Sequence, residues 1–195
     1  MFCNIKKERA IISTKKLVIT ALFTALTAVS TMVIQIPLPF GYVNLGDMFV
    51  LLSAFALGTW YGVAAAGIGS ALADIILGYA IYAPGTFIIK GLMAFTASLV
   101  LRILYNKIKF EIISQIIAGV IAEIIMVVGY FFYDAVILSY SWSALASVVG
   151  NLIQGGIGIT LSVMIMRVSK YRQIFSESKT NRENQNTTND NDKNQ

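Results

Sequence analysis

The residues best placed to do chemistry are Lys90, Glu123, Asn151 and Gln154, each a polar side chain set in an otherwise apolar stretch. A charged group inside a hydrocarbon-spanning helix costs about 2.5–3.5 kcal/mol on insertion scales, and such groups usually mark a functional site. One ammonium, one carboxylate and two carboxamides do not make a catalytic set; they make a recognition set. Asp74 adds a second carboxylate, and Tyr130 adds a ring able to stack on a planar ligand. Helical phase groups them: Gly119, Glu123, Tyr130 and Asp134 share one face, as do Ser147, Asn151 and Gln154, and Thr86 with Lys90. The competing reading is that Asp74, Lys90 and Glu123 pair with one another and merely tie helices together.

Other chemistries are excluded by composition. The sequence has no histidine, which removes His-based triads and HExxH metal sites. Cys3 stands alone, so it forms no intrachain disulfide and has no companion ligand for zinc. No GxxxxGK[ST] loop occurs, so the chain does not hydrolyse nucleotides by itself. No enzyme activity, metal site or cofactor is expected.

The elements that must position the recognition set are membrane helices. Of 195 residues, 56% are hydrophobic and 13% charged, against roughly 45–50% and 25% in soluble domains. Runs of about 20 apolar residues are needed to cross a bilayer. Leu17–Ile36, Gly85–Leu101, Ile112–Tyr133 and Ala144–Met166 each supply one, and Met48–Gly78 supplies two short ones turning near Trp60, Tyr61 and Gly62. Lys and Arg number 15: five before residue 17, three in Arg102, Lys107 and Lys109, six from Arg167 onward, and Lys90. Cytoplasmic flanks are enriched in these residues. Two crossings at Met48–Gly78 put every basic cluster on one side, so the expected fold is an all-α integral membrane bundle of six transmembrane helices with both termini cytoplasmic. The net charge of +5 then reflects topology and not a nucleic-acid partner. Residues 1–16 read as a basic cytoplasmic segment, 17–170 as the membrane domain, and 171–195 as a disordered polar tail. A signal peptide ending near Ala28-Val29-Ser30 is the alternative for the N-terminus, but its removal would spoil the charge parity.

On this topology Asp47, Asp74, Lys90, Asp134, Asn151 and Gln154 fall in the outer half of the bundle and Glu123 near the midplane, which predicts a polar pocket open outward. Tyr79, Tyr82, Tyr130, Phe131, Phe132, Tyr133, Tyr140 and Trp142 cluster at the same ends, as an aromatic belt or, for one or two, as stacking partners. Pro37, Pro39 and Gly41 suit an irregular loop covering the pocket. Ala21, Ala25 and Ala28 form a smooth strip on the first helix, fit for close helix approach within the protein or to a partner. Gly62, Ala66, Gly69 and Ala73 read as internal packing.

Several stretches together resemble the substrate-binding (S) component of energy-coupling factor (ECF) vitamin transporters of the riboflavin type, over roughly residues 11–170. They are the first-helix alanines, Tyr42-Val43-Asn44-Leu45-Gly46-Asp47, Gly67-Ile68-Gly69-Ser70-Ala71-Leu72-Ala73-Asp74, Tyr82-Ala83-Pro84, Phe87-Ile88-Ile89-Lys90-Gly91, and Gly150-Asn151-Leu152-Ile153-Gln154-Gly155. The resemblance implies a vitamin pocket on the outer side under a flexible loop, and docking of the alanine face on a membrane coupling protein driven by two ATPase subunits. Ala21 and Ala25 match the docking motif, Lys90 and Asn151 match ligand-facing positions, and Asn44 joins the substrate-binding candidates. Thr59 departs from the proline common in relatives. The expected function is import of a water-soluble heteroaromatic vitamin or precursor, such as a hydroxymethylpyrimidine, pyridoxine, thiamine or riboflavin-like compound, across the cell membrane. A small six-helix scaffold of cell-wall assembly is the alternative from another class; an intramembrane enzyme would want an inner carboxylate cluster where this chain has basic loops.

Overall fold

The structure is a computed structural model that describes residues 2–37, 42–105, 110–139, 145 and 147–169, with side chains from Thr14 onward except those of Pro37 and Tyr42. It forms two units, residues 1–162 and 163–195, the second represented by Val163–Ser169. The expected tail, residues 171–195, lies outside the described residues.

Six helices follow one another as expected: α1 (Phe2–Val33), α2 (Gly46–Leu57), α3 (Thr59–Ile76), α4 (Ala83–Tyr105), α5 (Glu111–Phe132) and α6 (Ser147–Ser169). Five of them, counting α1 from Thr14, are long and apolar enough to cross a membrane, whereas α2 has only 12 residues. α1 begins at Phe2, so its backbone runs through the basic N-terminal segment. The expected loop after α1 is partly ordered: β1 (Gln35–Pro37) pairs antiparallel with β2 (Tyr42–Asn44), Ile36 opposite Val43. Pro39 and Gly41 lie outside the described residues. The turn between the second and third helices falls at Gly58, earlier than the Trp60–Gly62 expected from hydropathy. Gly58 has φ 78°, which an L side chain adopts only under strain, so the helix ends there. α5 finishes in a π-helical turn, Tyr133–Ile137.

The packing is the reverse of a soluble bundle. Leu22, Leu72, Ile75, Ile88, Leu92, Leu99, Ile113, Ile124 and Leu152 face outward, while the interior is dominated by Ala54, Ala65, Ala66, Ala73, Ala94, Ala97, Ala118 and Ala122. Large apolar side chains lose nothing by facing lipid, so small ones take the interfaces, where they let backbones approach. Ala66, Gly69 and Ala73 are buried as expected. A Cβ on Gly69 would meet the Thr24 carbonyl oxygen at 2.6 Å and Thr27 Cβ at 2.8 Å, so α1 and α3 touch through backbone. One on Gly62 would meet Ala54 Cα at 2.9 Å, closing the α2–α3 hairpin. Next to its turn, Thr59 Oγ1 and Ser98 Oγ lie 2.9 Å apart and tie the start of α3 to α4.

α1 is two-faced. Thr20, Thr24, Thr27 and Thr31 donate to the carbonyls of Lys16, Thr20, Phe23 and Thr27 at 2.8–2.9 Å, satisfying their hydroxyls within the helix. Thr20, Thr27 and Thr31 are buried. Ala21 and Ala25 are exposed, between Leu17, Leu22 and Val29. Ala28, grouped with them from sequence, is 8% exposed; it lies a turn before Thr31, where α1 closes on Gly46 of α2, and so is no part of the open strip.

Gly69→Leu should force α1 from α3 and lower the thermal midpoint of the detergent-extracted protein, by the equivalent of about 1–3 kcal/mol or more for overpacking. Gly156→Ala, with no atom within 4 Å of the new methyl, should leave the midpoint unchanged or raised.

Candidate ligand-binding site

Adjacent helices run in opposite senses, so the end of α1, the start of α2, the end of α3, the start of α4, the end of α5 and the start of α6 all come to one end of the bundle. The polar side chains gather there. Lys90 lies seven residues past the start of α4 and is 3% exposed; Asp47, the second residue of α2, is 0% exposed. The Lys90 Nζ forms a buried ion pair with Asp47 Oδ1 and approaches Met126 Sδ of α5 at 2.9 Å. The carboxylate sits at a helix N-terminus, whose free N–H groups favour negative charge.

Gln154 of α6 completes the arrangement. Its Nε2 donates to Asp47 Oδ2 at 2.6 Å, and its Oε1 accepts from the backbone N–H of Asn44 at 2.8 Å. The Asn44 Oδ1 in turn accepts from the Gly46 N–H at 2.7 Å. The strand hairpin, α2, α4 and α6 therefore meet through a short chain of charge-assisted hydrogen bonds. The Lys90 ammonium lies 5.5 Å from the centroid of the Tyr130 ring, within cation–π range, and Tyr130 Oη donates to Thr86 Oγ1 at 3.0 Å.

Glu123 of α5 approaches the same stretch of α6 that faces Asp47. It is 6% exposed, and neither carboxylate oxygen has a hydrogen-bond partner among the described residues. It fits there because α6 offers glycine. A Cβ on Gly155 would come within 2.8 Å of Glu123 Oε2, and one on Gly158 within 2.9 Å of Asp47 Cβ and 3.4 Å of Glu123 Oε1. Gly158 thus marks where the two carboxylate-bearing chains converge. Beside Glu123 a groove of about 230 Å³ runs along the α5–α6 seam, lined by Val127, Asn151 and Ile159 and, on its outward side, by the exposed Val120, Ile124, Val128 and Leu152.

Of the sequence candidates, Lys90, Gln154, Asn44 and Tyr130 thus come together directly, and Glu123 with Asn151 lines the adjoining groove. Asp74 is buried at the end of α3, outside the hydrogen bonds that join Lys90, Asp47 and Gln154. The proposed mutual pairing of Asp74, Lys90 and Glu123 is replaced by the pair of Lys90 with Asp47. Sequence reasoning set Asp47 in the outer polar half and Thr86 on the face of Lys90 without counting either among the binding residues, and it passed over Met126. The signal for pairing Asp47 was Lys90 itself, which needs a carboxylate at its own level in the bundle. Among the described residues no group of His, Cys, Asp and Glu could hold a metal ion.

Comparison with known proteins agrees with this architecture. An uncharacterized protein of the gap 3′ region of Pyrococcus woesei is 35% identical over 135 residues, 68% of this chain and 86% of that protein. The fold is similar to the S component of a bacterial ECF transporter, with TM-score 0.64 and 21% identity over 82% of this chain and 98% of the other. It is also similar to the S component for biotin from an ECF-type ABC transporter, with TM-score 0.58 and 22% identity over 81% and 92%. The family profile for the ECF-type riboflavin transporter S component matches residues 11–171. With that match over most of its length, the chain belongs to the family of ECF-type riboflavin transporter S components, membrane transport subunits and not enzymes.

Proposed function

We propose that the chain is the substrate-specific subunit of an ECF importer in the cell membrane, capturing a water-soluble heteroaromatic vitamin or precursor on the outer side. The candidates are a hydroxymethylpyrimidine, pyridoxine, thiamine or a riboflavin-like compound. The observation that carries this reading is the convergence of Asn44, Asp47, Lys90, Tyr130 and Gln154 at one end of the bundle, with Glu123 and Asn151 on the adjoining α5–α6 seam. A structural ion pair needs neither an aromatic ring over the ammonium nor a hairpin strand bonded to the same glutamine. Lys90, Asn151, Gln154 and Glu123 would bind the polar edge of the ring and Tyr130 its face. The clustering of Lys and Arg in the segments joined to the opposite helix ends supports an outward-facing site with both termini inside.

Ala21 and Ala25, exposed on the lipid-facing side of α1, would seat the chain on a membrane coupling protein driven by two ATPase subunits, which supplies the energy to move the ligand inward. The residues 1–16, 17–170 and 171–195 would then serve as basic flank, binding domain and cytoplasmic tail.

Mass spectrometry of small molecules that co-purify with the detergent-extracted protein tests the reading: a heteroaromatic vitamin should be retained by the native chain. Lys90→Ala should abolish that retention and also lower stability by about 3–5 kcal/mol, because it leaves Asp47 buried and unpaired. The double variant Asp47→Asn with Lys90→Met should recover most of the stability and none of the binding. A scaffold of cell-wall assembly would retain no vitamin, and its function would survive the double variant.

Ala25→Leu fills the outward strip without touching the pocket. Uptake by cells should be lost while the isolated protein binds ligand as before; parallel loss of both would assign α1 to internal packing.

A further inference from the structure

The end of the bundle opposite the Lys90 cluster carries an arrangement that ligand capture does not use. α3 begins there with Thr59, Trp60 and Tyr61, and it lies between α1, which it meets at Gly69, and α4, which it meets at Gly67. On the α1 side, Lys16 Nζ lies 5.8 Å from the centroid of the Tyr61 ring. On the α4 side, the Trp60 and Phe95 rings tilt together with centroids 6.2 Å apart, and Thr59 meets Ser98. Phe95, Ser98 and Arg102 stand at i, i+3 and i+7, so Arg102 ends the face of α4 that the start of α3 packs against. The levels agree as well. Lys16 is two residues into its membrane span and Tyr61 two residues into its own, which is interfacial depth. Arg102 lies about 6 Å further toward the headgroups than Ser98.

Charge at this place is unmatched. Lys16 and Arg102 are exposed, and neither has an ion-pair partner among the described residues. Glu111, at the same end, accepts from Tyr105 Oη at 3.4 Å on the side where α4 passes to α5. Trp60 is 76% exposed, so its ring faces the lipid and not the core. Further along α3, Ile68, Leu72 and Ile75 also face outward and continue an apolar track into the hydrocarbon. Membrane topology explains a surplus of cations at one end, but it is indifferent to which helices carry them and to what lies between. Here two helices set cations on either side of an exposed indole. We infer that the start of α3, flanked by Lys16 and Arg102, is a seat for an anionic phospholipid. The guanidinium grips two phosphate oxygens at once and the ammonium adds a point charge. The Tyr61 ring holds Lys16 along α3 with its head at the headgroup level. Trp60 packs against the glycerol region, and an acyl chain follows Ile68 and Leu72.

The test uses the full chain with Trp142→Phe, which leaves Trp60 as its only indole, in mixed micelles of phosphatidylcholine. Phosphatidylglycerol brominated in its acyl chains is titrated in, brominated phosphatidylcholine is titrated in parallel, and quenching of Trp60 fluorescence is followed. The anionic lipid should be preferred by about fivefold for each of the two cations it meets. The preference should shrink as salt is raised. Lys16→Gln with Arg102→Gln should abolish it and leave the thermal midpoint in phosphatidylcholine unchanged, since both side chains are exposed. Lys16→Arg with Arg102→Lys should keep it. Removing two cations elsewhere, by Lys107→Gln with Lys109→Gln, should leave most of it. Equal quenching of the native chain by the two lipids overturns the inference. So does an equal loss in the two glutamine pairs, which would mean that the basic end attracts anionic lipid as a whole. Soluble glycerol 3-phosphate should leave the quenching intact; displacement of the brominated lipid by it would assign the cations to a free phosphate and overturn the inference too.

Discussion

Inside a bilayer the ion pair between Lys90 and Asp47 has no water to fall back on, and much of the bundle is arranged to meet that condition. Neither group could remain charged alone at that level without a cost of several kcal/mol. Three helices and a hairpin strand converge to satisfy the pair: α4 carries the ammonium, α2 the carboxylate, α6 the bridging carboxamide, and β2 the N–H that fixes the carboxamide in place. Met126 and the Tyr130 ring add polarizable neighbours from α5. Such pairs are weak evidence of stability as such, since well-packed apolar residues often do as well. They do specify arrangement. Here the pair fixes which ends of which helices must meet, and so creates a charged end in a bundle whose core is mostly alanine with Val50, Leu51, Met93 and Met126.

The helices were legible because their signal is long and periodic. Twenty apolar residues and a segregation of basic residues decide the number of crossings, and both are local properties of the chain. The faces of α4, α5 and α6 were also legible, since Lys90 with Thr86, Glu123 with Tyr130, and Asn151 with Gln154 are set by helical phase alone. Partnership was not. That Lys90 meets Asp47 rather than Asp74 depends on α2 lying against α4, a tertiary fact that no spacing within either helix encodes. Ala28 shows the same limit. Its spacing places it with Ala21 and Ala25, yet it is covered because α2 closes on the end of α1, at Thr31 and Gly46. The strand pairing of Gln35–Pro37 with Tyr42–Asn44 was hidden by prolines that read as an irregular loop.

The two faces of α1 illustrate how a membrane sequence separates folding from association. Its threonines point inward and spend their hydroxyls on their own helix, so they can pack against Gly69 without demanding partners from α3. Its small outward residues, Ala21 and Ala25, contribute little to the fold and can therefore serve a second surface. In a soluble helix hydrophobicity distinguishes these faces. In lipid it cannot, and side-chain size distinguishes them instead.

The shortness of α2 carries a further consequence. α2 and α3 leave the same turn at Gly58, but α2 has 12 residues and α3 has 18. At about 1.5 Å per residue, α2 stops roughly 9 Å below the level that α3 reaches. Its first turn, with Asp47, therefore lies at the bottom of a step and not at the rim. A helix terminus ordinarily belongs to the interface with water; sinking this one gives the protein a floor of oriented N–H dipoles and a buried carboxylate, set below the end of the taller α3 beside it.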